Sequence, residues 1–232
     1  MPGRLKIGSR FMKIGSRYLR IGPIGASAVV NHDWLSAGDS GASDPEDVPT
    51  SDAVAGDLLI IFFALAGDDL SGTLPTFQYH SMSLVTKETV GPNGLYIYQG
   101  IHDGVHSTLG DFVPPLPVSH AGSDYNLVRV RAGDFNAASP IVASDIFGPY
   151  TGTSHVLTIG PMAEADNLII VYDSGGSAAP IAVSPSDYDQ VRNSAVFGRG
   201  WDFHDESLTQ IEFTYSLSAS RRYWAVEVDA TP

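Results

Sequence analysis

Seven histidines and several knots of carboxylates are the side chains of this 232-residue chain best suited to chemistry: His32, His80, His102, His106, His120, His155 and His204 on one side, acidic clusters on the other. His102 and His106 stand four apart with Asp103 between them, in "HDGVH". On a helix that spacing would place both imidazoles on one face, as zinc ligation requires. Gly104 and the strand-like flanks argue for a loop instead, and we read the pair as surface histidines with no metal assigned. "WDFHDES" at 201–207 gathers Asp202, Asp205 and Glu206, and "GDD" at 67–69 and "SDYDQ" at 186–190 add further acids. Paired carboxylates about 5–9.5 Å apart across a cleft hydrolyse glycosides, and clustered ones bind Ca2+ through hard oxygen ligands. Sequence alone fixes neither geometry. The expectation is therefore acidic loops on a solvated surface, no catalytic residue and no cofactor, with Ca2+ the one ion such loops would suit. Trp201, beside Gly200 and the acids, is the aromatic side chain proposed for a glycan contact, whereas Trp224 alternates with Val226 and Val228 and reads as core. No Ser lies in Gly-x-Ser-x-Gly, and "DSGGSAAP" lacks the Lys-Ser/Thr of a phosphate loop.

These residues must be carried by strands. The apolar run from Leu58 to Ala66, bounded by Gly56 and Gly67, predicts a strand buried on both faces. Further strands are predicted at 26–34, 83–90, 94–101, 125–135, 154–160, 167–175, 194–203, 209–217 and 222–230, with residues 35–57 a polar loop rich in Gly, Ser, Asp and Pro. Leu127, Val128 and Val130 against Arg129 and Arg131, and Ile211, Phe213, Tyr215 and Leu217 against Glu212, Thr214 and Ser216, predict sheets with one wet face. No stretch of ten or more residues shows helical periodicity. The fold class is all-β: an antiparallel, jelly-roll-like β-sandwich over residues 26–232, preceded by an extended arm.

A weaker repeat runs through that domain. "GDLLIIFFALAG" at 56–67 resembles "ADNLIIVYDSGG" at 165–176, and "DYNLVRVRAGDFNAASPI" at 124–141 resembles "RRYWAVEVDATP" at 221–232, in the same order. Each half then supplies a buried strand and a later aromatic-led strand, so two halves facing each other make the two sheets of one sandwich.

Residues 1–25 are different in kind. The blocks RLKIGSR, FMKIGSR and YLRIGPI repeat with a period of seven, so Ile7, Ile14 and Ile21 recur with a Gly after each. A Gly in every block costs a helix about 1 kcal/mol each, which disfavours a coiled coil. Short β-segments with a turn at each Gly fit better. No unbroken apolar core marks a signal peptide. The first 22 residues carry six cations and no acid, so the remaining 210 hold a net charge of −19 against −13 for the whole chain. Such an arm could neutralise phosphates, but the interleaved apolar residues favour a protein surface over nucleic acid. Arg4, Ile7, Arg10, Lys13, Ile14, Arg17, Arg20 and Ile21 are the predicted docking residues. Cys is absent, excluding disulfides and thiolate metal sites, and no run of 18 apolar residues predicts a membrane span.

The strands "AGDLLIIFFALAG", "ADNLIIVYDSGG" and "YWAVEVDATP", with "AGDF…SPI" between them, resemble a family of β-sandwich proteins of tailed bacteriophages and related prophage-like or gene-transfer-agent-like particles. The "KIGS" repeats are similar to leader segments on their tail, fibre and head-surface proteins. "LPTFQYHSMSLV" departs from the pattern, lacking the Gly-Trp that relatives tend to carry. The resemblance implies a non-enzymatic virion subunit, a tail-tip or fibre component or a head decoration or spike. Its partners would be other virion proteins and its own copies, as a homotrimer, and a host surface glycan. The alternatives are a carbohydrate-binding, lectin-like module and, further off, a glycan-cleaving enzyme.

Overall fold

The computed structural model describes residues 10–14, 17–21, 32–40, 48–50, 52–67, 74, 76–90, 93–110, 112–113, 123–159, 167–174, 179–186, 188–193, 198–203 and 208–230. Every regular element among them is a strand. Arg4, Ile7, His120, His204, Asp205, Glu206, the acids Asp68, Asp69 and Asp187, and residues 26–31 of the predicted first strand lie outside the described residues.

Strands β1 (Arg10–Ile14) and β2 (Arg17–Ile21) come from the arm. The first half of the remaining chain gives β3 (His32–Ser40), β4 (Leu58–Ala66), β5 (Thr76–Phe77), β6 (Ser83–Val90), β7 (Asn93–Ile101), β8 (Phe112–Val113) and β9 (Ser123–Val130). The second half gives β10 (Ile141–Thr158), β11 (Leu168–Ser174), β12 (Ala182–Ser184), β13 (Tyr188–Asn193), β14 (Gly198–Phe203) and β15 (Gln210–Val228). The first half forms one antiparallel sheet, ordered β3-β9-β4-β7-β6, and the second forms another, β10-β15-β11-β14-β13, with β12 also on β15. Setting aside the short β5, β8 and β12, the two orders are the same: first, fifth, second, fourth, third. The repeat read in two strand pairs therefore extends to all five.

Register and capping repeat with it. Leu58 and Ile60 pair with Val130 and Val128, as Leu168 and Ile170 pair with Val228 and Val226. Before each central strand a short polar side chain accepts a backbone N–H two residues past the partner strand: Asp57 Oδ1 from Ala132 at 3.0 Å, Asn167 Oδ1 from Ala230 at 2.9 Å. The residue each faces has changed charge, Arg129 beside Asp57 and Glu227 accepting from the Asn167 amide at 2.7 Å.

The halves close face to face. Leu58, Ile60 and Phe62 meet Leu168, Ile170 and Tyr172 with Trp224, Val226 and Val228, and Phe62 stacks on its counterpart Tyr172 at 5.2 Å. Each fully buried large apolar side chain of this layer contributes about 1.5–3 kcal/mol. The alternate residues of β4 are covered too: Leu59, Ile61, Phe63 and Leu65 lie beneath Val48, Phe77 and Leu109, which explains a run with no polar face. On the second sheet Ile169, Val171, Trp201, Phe213 and Tyr223 form a third apolar layer.

That third layer exists because the β10–β15 ribbon folds over its own sheet. Eight residues of strand span about 26 Å, yet the hydroxyls of Tyr215 and Tyr223, both on β15, lie 2.9 Å apart. Register shifts in β10 between Phe147 and Tyr150 and between Gly152 and Ser154 release the ribbon there. The predicted strands at 209–217 and 222–230 are consequently one 19-residue strand, and 154–160 is the end of an 18-residue one.

Two expectations are corrected. Residues 35–40, read as loop, extend β3 because Ser36–Ser40 pair with Ser123–Leu127, Leu35 lying at a register shift. From Tyr125 to Val130 β9 has no wet face: Arg129 is buried, donating to Asp33 Oδ2 at 2.5 Å and to the Asp52 carbonyl. On β15 alternation holds from Ile211 to Tyr215, and Leu217 is exposed where the ribbon turns.

Candidate functional site

Among the described residues, two places combine charge, strand edges or metal-ligating atoms: the arm, and a histidine cluster on the outer side of the first sheet.

In the arm β1 and β2 pair antiparallel, Arg10 with Ile21, Met12 with Leu19 and Ile14 with Arg17, and, at the alternate positions, Phe11 with Arg20 and Lys13 with Tyr18. The β-segment reading holds for blocks two and three. The hairpin is a sheet of its own, joined to neither sheet of the sandwich among the described residues. Its outer main-chain edges are the kind on which another chain adds a strand.

Trp201 cannot stack on a sugar from solvent. It is fully buried against Phe213, with ring centroids 4.6 Å apart, because β14 is covered by the folded ribbon. Asp202, its acidic neighbour, is buried as well, 2.6 Å from His32 Nε2 on β3, and so ties the two sheets together. Trp224 lies in the core as read from sequence.

The same covered layer holds a polar chain. Arg221 donates to both oxygens of Asp173, at 2.9 and 2.7 Å; Tyr215 donates to Asp173 at 3.1 Å, meets Tyr223, and Tyr223 meets His155 Nδ1 at 2.7 Å. Burial pushes the Asp173 carboxyl up to about 6 although Arg221 pulls it down. A folded value above the ordinary carboxyl value near ~3.9 means the native state binds this proton more tightly. The resulting stability is present in full below about pH 4 and is lost as the pH rises through about 6. Over that window the contribution is roughly 3 kcal/mol, at about 1.4 kcal/mol per pH unit. Urea midpoints for wild type and Asp173→Asn between pH 4 and 7 check this: the wild-type curve should fall relative to the variant, and parallel curves would refute it.

Of the pair read as surface histidines, His102 is buried and His106 half-buried, and His32, His80 and His155 are buried as well. "HDGVH" is a loop, as expected, but one folded inward by His102. The His102 main chain is held by Asp57, whose carbonyl accepts its N–H at 2.8 Å. Its Nε2–H donates to the His106 carbonyl at 2.9 Å, with Thr50 Oγ1 at 3.2 Å, and its Nδ1 accepts from Gly104 N–H at 3.0 Å. Gly104 has φ +78°, and a Cβ there would lie 2.6 Å from that of Ala55. Asp103 Oδ1 accepts from the N–H groups of Val105 and His106, and Oδ2 meets His106 Nδ1 at 2.5 Å. These backbone bonds, then the His106 side chain, hold the Asp103 carboxyl well below the usual range. His80 packs over this loop, 4.9 Å from His102 between ring centroids, while Tyr79 stacks on His106 at 4.5 Å.

No family model, curated protein or solved structure matches the chain. What the cluster and the hairpin do must be argued from their own chemistry.

His80 is the member that sequence reasoning missed. It lies 22 residues before His102 in a segment with no strand periodicity, and its one signal was its position two residues before "MSLV", where β6 begins and folds back over β7.

Proposed function

We propose that the chain is a non-enzymatic structural subunit of a tailed-phage-like particle, at a tail tip or fibre or on the head surface. It docks through its N-terminal hairpin onto acidic, strand-edged surfaces and projects the sandwich outward. The observation that carries this reading is the separate hairpin of β1 and β2. It pairs with itself and with neither sandwich sheet among the described residues, and it concentrates Arg10, Lys13, Arg17 and Arg20 on a chain otherwise strongly acidic. Cationic strands with open edges fit a partner that supplies strand edges and carboxylates. The sandwich of a second copy supplies both, so self-association, as a homotrimer, and binding to other virion proteins rest on the same chemistry. A lectin-like reading loses its residue with the burial of Trp201, and a glycan-cleaving one loses Asp202 to its bond with His32.

Strand pairing and apolar contact act beside charge in such docking, so the assembly should respond to salt only in part. The Debye length falls from about 8 Å at physiological ionic strength to about 3 Å at 1 M. Sedimentation velocity of the full chain across that range should show oligomers that weaken and persist. Complete dissociation at 1 M salt would mean charge alone holds them. For the particle itself, quantitative mass spectrometry of purified virions should find the chain at a fixed copy number, in the hundreds for head decoration and a handful for a tail tip; its absence would refute the virion reading.

A further inference from the structure

A buried imidazole ordinarily secures a hydrogen bond, because leaving its polar atoms unpaired costs free energy. His80 does not. Its side chain is 1% exposed, yet neither ring nitrogen reaches a partner with hydrogen-bond geometry, the approach to the Thr108 main chain included. Nε2 stands 3.6 Å from Asp103 Oδ1, too far for a hydrogen bond. It is close to another separation: around a tetrahedral Zn2+ with ligands at about 2.0–2.1 Å, neighbouring donor atoms lie about 3.3 Å apart. A ring nitrogen of His102 completes the set, the three ligand atoms lying within 4.8 Å of one another.

We propose that His80, His102 and Asp103 bind a zinc-class divalent cation. His80 and His102 supply imidazole nitrogens and Asp103 a carboxylate oxygen, leaving a fourth position for water. The hydrogen bonds around the site suit it. The donation of His102 Nε2–H to the His106 carbonyl leaves Nδ1 as that ring's lone pair, in exchange for the Gly104 contact. Backbone carbonyls and carboxylates commonly orient metal-bound histidines in this way, and His106 does the same for Asp103 from outside the site. Two imidazoles and one carboxylate favour zinc over Ca2+ or Mg2+, which take all-oxygen sets.

The ion would clip together segments far apart in the chain. His80 precedes β6, His102 and Asp103 follow β7, and Thr50, in contact with His102, belongs to the loop over the first sheet. In a chain without cysteine this is a cross-link made from nitrogen and oxygen, and it is independent of how the arm is used.

The test uses the full chain, freed of metal with a chelator and titrated with ZnCl2, with CaCl2 as control. One Zn2+ should bind per chain by calorimetry and by elemental analysis after dialysis. At a hundredfold excess over Kd the melting temperature should rise by roughly 5–10 °C. Substituting Co2+ should give the visible absorption of a tetrahedral site. His80→Gln and Asp103→Asn should each abolish the bound equivalent and the thermal shift. Asp103 lies at the exposed rim, so Asp103→Asn reports even if His80→Gln folds poorly. Failure of the wild type to retain zinc, or stoichiometric binding that survives either substitution in a folded protein, would overturn the proposal.

Discussion

Arg221→Met should destabilise the protein by about 3–5 kcal/mol at pH 7, the cost of leaving a buried carboxylate without its cation. Arg221 and Asp173 are both buried, and the guanidinium donates to both carboxylate oxygens while lying 4.2 Å over the Tyr215 ring. Met keeps much of the apolar stem and removes the charge, so Asp173 must remain ionised and unpaired or take up a proton. The loss should therefore shrink at low pH. Arg221→Met with Asp173→Leu should recover a large part of it, since exchanging both partners of a buried pair for apolar groups is often close to neutral. Urea denaturation of the single and double variants measures this coupling. A single variant within about 1 kcal/mol of wild type would mean that the folded ribbon does not seal the pair from water.

The sequence carried the parts of the fold in which a local pattern and burial agree. Leu58–Ala66 is apolar at every position because both its faces are covered, and Leu168–Ser174 echoes it because the second sheet repeats the first. Where a side chain answers to a partner far along the chain, the pattern misled. Arg129 alternates with apolar residues as a wet-face residue would, but Asp33, 96 positions away, draws it inward. Trp201 sits among acids that suggest a surface, yet Asp202 is committed to His32, 170 positions away, and the ribbon that covers both is bent by irregularities no periodicity announces. Strands of two or three residues such as β5, β8 and β12 have no period to detect. "HDGVH" was legible as a loop, whereas its convergence with His80 depends on how β6 folds back on β7. In the arm, blocks two and three were legible as short β-segments, whereas their pairing with each other was not.

Loss of the arm should have the largest effect on function and almost none on the fold. β1 and β2 pair only with each other among the described residues, and the apolar layers of the sandwich draw on residues 35–230. The register pairs Ile14 with Arg17 and Ile21 with Arg10, so strand addition, apolar contact and charge would act together on a partner. The most direct test of this claim is sedimentation equilibrium of the full chain beside a chain lacking residues 2–22, with circular dichroism and urea unfolding as the control for folding. The account predicts a truncated protein that keeps its β-rich spectrum and unfolding midpoint but is monomeric and is left out of particles. A truncated protein that self-associates and incorporates like the full chain would contradict it.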